Sequence, residues 1–530
     1  MSRRAALDLL RRLAFVHLLV GDARKGGAYN GAIWPLSRFE GDFEEALASG
    51  ELGRIRGVGR STLEVLRMAF AGEEPPGLLA LEAQIPEGVF ALAKVRGLGA
   101  KGVARIWNEL GVASLAELEY ACNENRLASL KGFGDKKQAT ILGAVRRLRA
   151  AEGWFRRDQA LDGAAAVALD ATVVGAVRRG HEVVRRLELL ARATPDEAAA
   201  AIDGQADEHG AVGEVEGVPV RVWSASEGWG TAMVRRTGSE AHLAALGPLP
   251  DAETEADVYA ELGLRMPAAE RREDQALVPV GAPAPRLVRM SDLRGALHNH
   301  TTASDGRDSL ADMAAAAAAL GLTYLGISEH SQTASYARGL TPERLRSHAD
   351  AIRGTQTPCA LLAGIESDIL ADGALDYDDE LLEALDFVVA SVHQRHRQDA
   401  DAMTARMVRA ASHRCVDVVG HPTGRLLLGR PPAPVDVAAL LDAAAASGCA
   451  VELNCSPQRL DLSAEHLAMA KERGVLVSIA ADAHSAAALS HLEHGIVLAR
   501  RAGLGPEDVL NTRSLPELRG WLAARRARHA

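Results

Sequence analysis

Between residues 291 and 530, six histidines and three carboxylates stand at the ends of short apolar runs. His298-x-His300 and Asp482-x-His484 each place two donors on one face at the period-two spacing of a strand. Asp305, His330, Glu366, His393 and His421 complete the set. A lone strand-end histidine is usually a hydrogen-bonded structural residue. Nine donors at successive strand ends point instead to metal chemistry, and the mixed nitrogen and oxygen ligation suits Zn²⁺, Mn²⁺ or Fe²⁺ without choosing among them. Histidine usage agrees, since 13 of the 17 lie after position 290.

The elements that must position these donors are legible as apolar runs. RGALHNH (294–300), YLGISEH (324–330), LLAGIES (361–367), FVVASVH (387–393), VDVVGH (416–421), AVELN (450–454) and VLVSIAADAH (475–484) read as strands. Alanine-rich helical stretches such as SLADMAAAAAALG separate them. Repeated strand and helix alternation predicts a closed or nearly closed parallel barrel whose strand C-termini converge on one face. Arg425, in the GHPTGR run, is a candidate phosphate holder, and Asn454 could position substrate or make a strand-end hydrogen bond. His348, His396, His413, His466, His491, His494 and His529 fall off the pattern and read as surface residues.

Residues 1–150 look different: helices broken by three related glycine turns. These are IRGVGR around Gly57 and Gly59, VRGLGAK around Gly97, Gly99 and Lys101, and LKGFGDK around Gly132, Gly134 and Lys136. Each turn can bring backbone N–H groups at the mouth of the next helix to a phosphate oxygen. This is the helix-hairpin-helix pattern, a sequence-independent grip on the DNA backbone. Charge follows the same division. Residues 1–150 carry 22 Lys+Arg against 17 Asp+Glu, residues 151–290 carry 15 against 23, and residues 291–530 carry 23 against 30, so only the first third suits a polyanion.

Residues 1–290 resemble a bacterial family X DNA polymerase, with VGAVRRG at 174–180, a Thr237-Gly238-Ser239 turn and a thumb-like TEADVYAELGL at 254–264. Residues 291–530 resemble the polymerase and histidinol phosphatase (PHP) domain. The resemblance implies a multidomain chain: a helical domain with a hairpin (1–85), hairpin-bearing fingers (86–150), an α+β palm (151–240), a thumb (241–277), a Pro- and Gly-rich linker (278–290) and a distorted (β/α)₇ barrel (291–530). It also implies three divalent metal ions. His298, His300, Glu366 and Asp482 would hold one; His393 and His421, with Glu366 as a bridge, a second; Asp305, His330 and His484 a third. Three ions against three carboxylates leave about +3, a charge that a hydroxide and a phosphate dianion neutralise.

The palm departs from its family at the positions that matter. Gly175-Ala176 stands where a Gly-Ser holds the incoming triphosphate, Arg186-Leu187-Glu188 stands for the Asp-x-Asp pair, and His209 to Pro250 contains no aspartate. Ala176 lacks the hydroxyl, Arg186 repels Mg²⁺, and Glu188 alone cannot hold a metal pair. An inactive palm is expected.

At 530 residues with 48% apolar and 25% charged residues, the chain has the size of three or four globular domains. No apolar run is long enough for a membrane span and no signal-peptide cleavage pattern is evident, so a cytoplasmic protein without membrane partners is expected. Five scattered cysteines give no disulfide framework. The leading expectation is a metal-dependent phosphoesterase acting on gapped or 3′-end-containing DNA, as a 3′–5′ exonuclease or a 3′-end or abasic-site processing enzyme in repair. The alternatives are a small-molecule phosphomonoesterase of the histidinol phosphatase type, a non-catalytic repair scaffold, and a gap-filling polymerase.

Overall fold

The computed structural model describes residues 3–39, 41–73, 75, 77–150, 153–273, 277–283, 286–394 and 398–528. His396, His529 and the linker residues Ala284 and Pro285 lie outside the described residues. The chain divides into two compact units, Met1–Arg146 and Arg147–Ala530. Among the described residues no helix is long and apolar enough to cross a membrane.

The first unit is helical, with α1 (Arg3–Leu19), α2 (Ala23–Ser37), α3 (Arg60–Phe70), α4 (Ala100–Leu110) and the start of α5 (Asp135–Ala150) as its longer elements. Gly57, Gly97 and Gly132 have φ of +98°, +90° and +86°, a region that side chains disfavour, so the three turns require glycine there. Val58, Leu98 and Phe133, between the paired glycines, are buried and pin each turn to the core. Gly59 and Gly99 sit at the N-caps of α3 and α4, with no side chain accepting from the first helical N–H groups.

The second unit opens on a five-stranded sheet. Strands β1 (Ala171–Val173), β2 (Leu187–Ala191), β3 (Gln205–Asp207), β4 (Gly210–Val215) and β5 (Val218–Ser224) lie in the order β1-β2-β5-β4-β3, and only β2 and β5 run parallel. Alternation splits the two faces. Leu187, Leu189, Val220 and Val222 pack with Ala160 of α6 (Arg157–Ala166) and Ala198 of α7 (Pro195–Ala201). On the opposite face Leu190 and Trp223 pack with Ala232 and Met233 of α8 (Trp229–Thr237). The stretch expected as a linker begins in paired structure instead: Leu264 bridges Pro279, and Arg265 N–H donates to the Val278 carbonyl at 2.8 Å. The nearby backbone groups find partners there, which an extended linker would leave to water.

Seven strands follow: β6 (Gly295–Ala296), β7 (Tyr324–His330), β8 (Ala360–Asp368), β9 (Phe387–Ser391), β10 (Val418–Val419), β11 (Ala450–Asn454) and β12 (Val477–Ala480). They are parallel and adjacent in chain order. Asn299 bridges Ala483, and His300 N–H donates to the Ala483 carbonyl at 2.9 Å, which nearly closes the barrel. Ser309, Thr341, Asp399, Asp436 and Ser463 each cap a following helix through a side-chain oxygen, so the helix starts lie at Ser, Thr or Asp. Tyr324, Leu362, Phe387, Val389 and Val418 form an apolar cluster with Leu518 and Leu522 of the helix Leu515–Ala527. The donor residues gather at the opposite, C-terminal ends of the strands.

Candidate metal centre

Glu366, near the end of β8, is the hub. Its Oε1 lies 3.3 Å from His298 Nε2, 3.1 Å from His393 Nε2 and 2.9 Å from His421 Nε2. Asp482 Oδ1 lies 3.5 Å from His298 Nε2 and 3.2 Å from His300 Nε2. Asp305 Oδ1 lies 3.4 Å from His330 Nε2 and 3.3 Å from His484 Nε2. Two ligands about 2.1 Å from a tetrahedral ion sit about 3.4 Å apart, so these separations are those of donors sharing a cation. The groups overlap: His300 also falls with Asp305, His330 and His484, and His330 with Glu366 and His393. All nine predicted donors therefore meet in one buried cluster, with His300 and His330 standing between the expected ion positions.

The polar accounting fits divalent ions. His298 Nε2 and Asp305 Oδ2 are buried without a hydrogen-bond partner, a cost that a coordinated cation removes, and His330 Nδ1 lies 2.8 Å from Glu366 Oε2. Charge tells the same story. Burial alone would lower the His298 pKa, but Glu452, Glu366 and Asp482 outweigh it and hold it well above the usual value. Burial likewise opposes charge on His330 and His393, yet Asp305 and Glu366 lift the first to about 10, and Glu366 and Asp368 lift the second to about 10. Burial with His484 and His330 nearby drops His300 to about 4, and burial with Arg459 drops His421 to about 3. Burial would raise Glu366, but His393, His298 and His330 hold it well below the carboxylate range. The carboxylates demand positive charge, which protons or metal ions can supply, and metal binding would release those protons.

A second layer of residues, missed in the sequence, orients the first. Glu452 Oε2 is 2.6 Å from His298 Nδ1, and Asp368 Oδ1 is 2.9 Å from His393 Nδ1. His484 Nδ1 lies 3.0 Å from the Asp482 carbonyl. Each contact fixes a ring so that Nε2 faces the centre. Thr333 Oγ1 donates to Asp368 at 2.5 Å, and Asp461 receives Thr423 Oγ1 at 2.8 Å just beyond His421. The signal was present as period two: Asp368 follows Glu366 by two positions on β8, and Glu452 precedes Asn454 by two on β11. His421 and Asp482 have φ of +24° and +50°, the left-handed region that branched residues avoid, so the surrounding contacts hold both donors in strained backbone.

Several expectations change. Arg425 is not open to a phosphate: its Nε donates to the Arg459 carbonyl at 3.0 Å, and its Nη2 bonds Glu182 and the Leu460 carbonyl. Glu182 belongs to the segment before β2, so Arg425 ties the sheet region to the barrel rim. Asn454 donates to Asp482 Oδ2 at 3.0 Å and to Glu452 at 2.9 Å, which makes it a ligand-orienting residue. His348 is not on the surface, because its Nε2 faces buried Glu329 at 3.2 Å. His494 lies against Arg157, its Nδ1 3.5 Å from the guanidinium.

In the sheet region, Arg186 Nε donates to Glu188 Oε1 at 2.6 Å, so the cation consumes the carboxylate two residues away. Arg221, in register with Glu188 across β5 and β2, is buried and pairs with Asp207. A side chain at Gly175 would come within 2.6 Å of Glu188 Oε2, so this carboxylate lies against the Gly175-Ala176 backbone.

Residues 296–456 match the model of the PHP domain. Over its full length the chain is similar to a PolX protein. It is 29% identical to the DNA polymerase/3′–5′ exonuclease PolX of Bacillus subtilis (strain 168), across 98% of this chain and 99% of that protein. A probable phosphatase of Caldanaerobacter subterraneus subsp. tengcongensis is 29% identical across 32% of this chain and 67% of its own length. Another, from Syntrophotalea carbinolica, is 29% identical across 41% of this chain and 90% of its own length. The PHP match spans β6 to β11 and includes His298, His300, Asp305, His330, Glu366, His393 and His421. Asp482 and His484 enter the centre from beyond it, on the segment after β12.

Proposed function

We propose that this chain is a metal-dependent phosphoesterase that trims or processes DNA 3′ ends, as a 3′–5′ exonuclease or 3′-end or abasic-site enzyme of repair. The observation that carries the reading is Glu366, held between His298, His393 and His421 in a chain that also has three glycine hairpins. The name of the Bacillus subtilis relative supports the DNA substrate.

In this reading His298, His300, Glu366 and Asp482 hold one ion, His393 and His421 share Glu366 on a second, and Asp305, His330 and His484 hold a third. Bound divalent Zn, Mn or Fe would supply Lewis acidity for hydrolysing a phosphodiester. The protein's own part is orientation. Glu452 and Asp368 hold their imidazoles in one tautomer, and Asn454 keeps the Asp482 carboxylate turned to the cluster. No protein nucleophile is assigned. The hairpins at Gly57, Gly59, Gly97, Gly99, Gly132 and Gly134, with Lys101 and Lys136, would hold the DNA backbone and leave sequence unread. The palm-like sheet would not polymerise, because Arg186 neutralises Glu188 and Ala176 offers no hydroxyl.

The test is release of label from 3′-labelled duplex DNA in Mn²⁺ by the wild type and by His298→Ala and His300→Ala variants. Release that disappears in both variants supports the reading, and DNA left intact by all three proteins contradicts it. The phosphatase relatives favour a second reading, hydrolysis of a small phosphomonoester. Turnover of small phosphomonoesters without DNA cleavage would select it.

A further inference from the structure

Glu329 is a fully buried carboxylate that does not belong to the nine donors. It precedes His330 on β7, and strand alternation sends the two side chains to opposite sides. Glu329 meets residues 301–304, the stretch between the donors His300 and Asp305. The Thr301 N–H donates to its Oε1 at 3.1 Å and its Oε2 at 3.2 Å, and the Thr301 hydroxyl donates to Oε1 at 2.5 Å. The Ser304 hydroxyl donates to Oε2. His348 Nε2, on the helix Pro342–Gly354, lies 3.2 Å from Oε1. The Ala303 N–H donates to Thr301 Oγ1 at 3.2 Å, which leaves the Thr301 proton for Glu329. A carboxyl group surrounded by donors is held as the carboxylate, which only accepts.

The same loop gathers Asp305, His330 and His484. Beyond Asp305, the Arg307 N–H donates to the His484 carbonyl at 2.8 Å. A side chain at Gly306 would come within 2.8 Å of the His300 carbonyl, so the loop folds back onto its own start. Arg344, also on the helix Pro342–Gly354, donates to the Ala303 carbonyl at 2.7 Å and holds the loop from outside. Ser304 then has a choice of acceptor. Its Oγ lies 3.4 Å from Asp305 Oδ1, the same atom that is 3.4 Å from His330 Nε2 and 3.3 Å from His484 Nε2. A hydroxyl has one proton to give, and the shorter contact with Glu329 takes it. Asp305 Oδ1 therefore keeps its lone pairs for a cation.

We propose that Glu329 is a positioning residue for the third ion alone: by drawing the Ser304 proton to itself, it keeps Asp305 Oδ1 open to the metal. The inference rests on the reading in which Asp305, His330 and His484 hold an ion of their own. Its means differ from those of Glu452 and Asp368, which face the outer nitrogens of His298 and His393. Glu329 acts on a carboxylate, through a hydroxyl, and its reach ends at the loop it binds. Disturbing it should empty one of three metal positions and spare the other two.

The experiment titrates the chelator-stripped full chain with Mn²⁺ and reads the free ion by electron paramagnetic resonance. The wild type should take three equivalents. In Glu329→Gln the new amide N–H occupies the Ser304 oxygen and turns the hydroxyl proton toward Asp305, so one equivalent should weaken by about 10- to 100-fold while two keep wild-type affinity. Adding Ser304→Ala removes the misdirected proton and should restore the lost equivalent, a rescue that a purely structural role for Glu329 would not give. In a His484→Ala background, Glu329→Gln should cost no further equivalent. Three equivalents at wild-type affinity in Glu329→Gln, or weaker binding in the double variant than in Glu329→Gln, overturns the proposal. Ser304→Ala alone should keep all three equivalents; its loss of one would also overturn the proposal, and this variant leaves Glu329 intact should Glu329→Gln fail to fold. A wild type that takes two equivalents or fewer contradicts the three-ion reading itself and removes the basis of the inference with it.

Discussion

At the mouth of the barrel, Asp305, Glu366 and Asp482 face imidazoles, and their buried negative charge is of the kind a cation balances. On the five-stranded sheet the imbalance is reversed: Glu188, Asp207 and Glu227 are each taken by an arginine, and Arg236 is left over. The two regions balance their charge by opposite routes. The barrel is built to recruit its positive charge as metal, whereas the sheet carries it in side chains. A fixed guanidinium can hold a phosphate, but it cannot coordinate and ionise a water molecule, so in this account only the barrel can be hydrolytic. A similar contrast separates the helices. Barrel helices beginning after Ser309, Thr341, Asp399, Asp436 and Ser463 are capped by those side chains, while α3 and α4 begin at Gly59 and Gly99 with no side-chain cap. Nothing lies within 4 Å of where a side chain at Gly59 or Gly99 would begin, so a phosphate oxygen has room to approach.

The comparison breaks most sharply at Glu366. Replacing it with Gln removes the carboxylate oxygen shared by three imidazoles, and DNA hydrolysis in Mn²⁺ should fall by about two to three orders of magnitude. Bound metal, measured by elemental analysis of the purified protein, should fall with it. Next come the orienting carboxylates. Glu452→Gln and Asp368→Asn should each weaken metal affinity by about 10- to 100-fold in a chelator competition, with the fold intact by circular dichroism. Lys101→Ala in the second hairpin should act on DNA alone. Its salt slope for duplex binding should drop by about one, while hydrolysis of a small phosphodiester stays at the wild-type rate.

The smallest effect tests how the sheet region is held. Burial would raise the Glu273 carboxyl, but His181 and Arg179 hold it down at about 2. A depressed carboxylate stabilises the fold above its unfolded pKa near 4.5, and that contribution is lost as pH falls toward 2. Glu273→Gln should therefore cost about 1 kcal/mol at neutral pH after solvent screening, and urea melts of variant and wild type should converge by pH 2.

The barrel was legible because parallel strands buried on both faces read as continuous apolar runs, and because catalytic donors fall at their ends. YLGISEH and AVELN coincide with β7 and β11. The glycine turns were legible because positive φ demands glycine at Gly57, Gly97 and Gly132. What stayed hidden depends on contacts between segments far apart in the chain. Arg425 looked free until Glu182, from the sheet region, met it. His348 looked exposed until Glu329 turned toward it. Arg236 had no motif at all, and its isolation follows only from knowing which arginine each carboxylate has already taken.

The central claim is that the barrel cuts and the sheet does not extend. It is tested most directly on 5′-labelled gapped DNA with Mn²⁺, with and without dNTPs, beside a His298→Ala control. The account predicts shortening that ignores dNTPs and vanishes in the control. Primer extension with dNTPs that persists in the His298→Ala protein would contradict it.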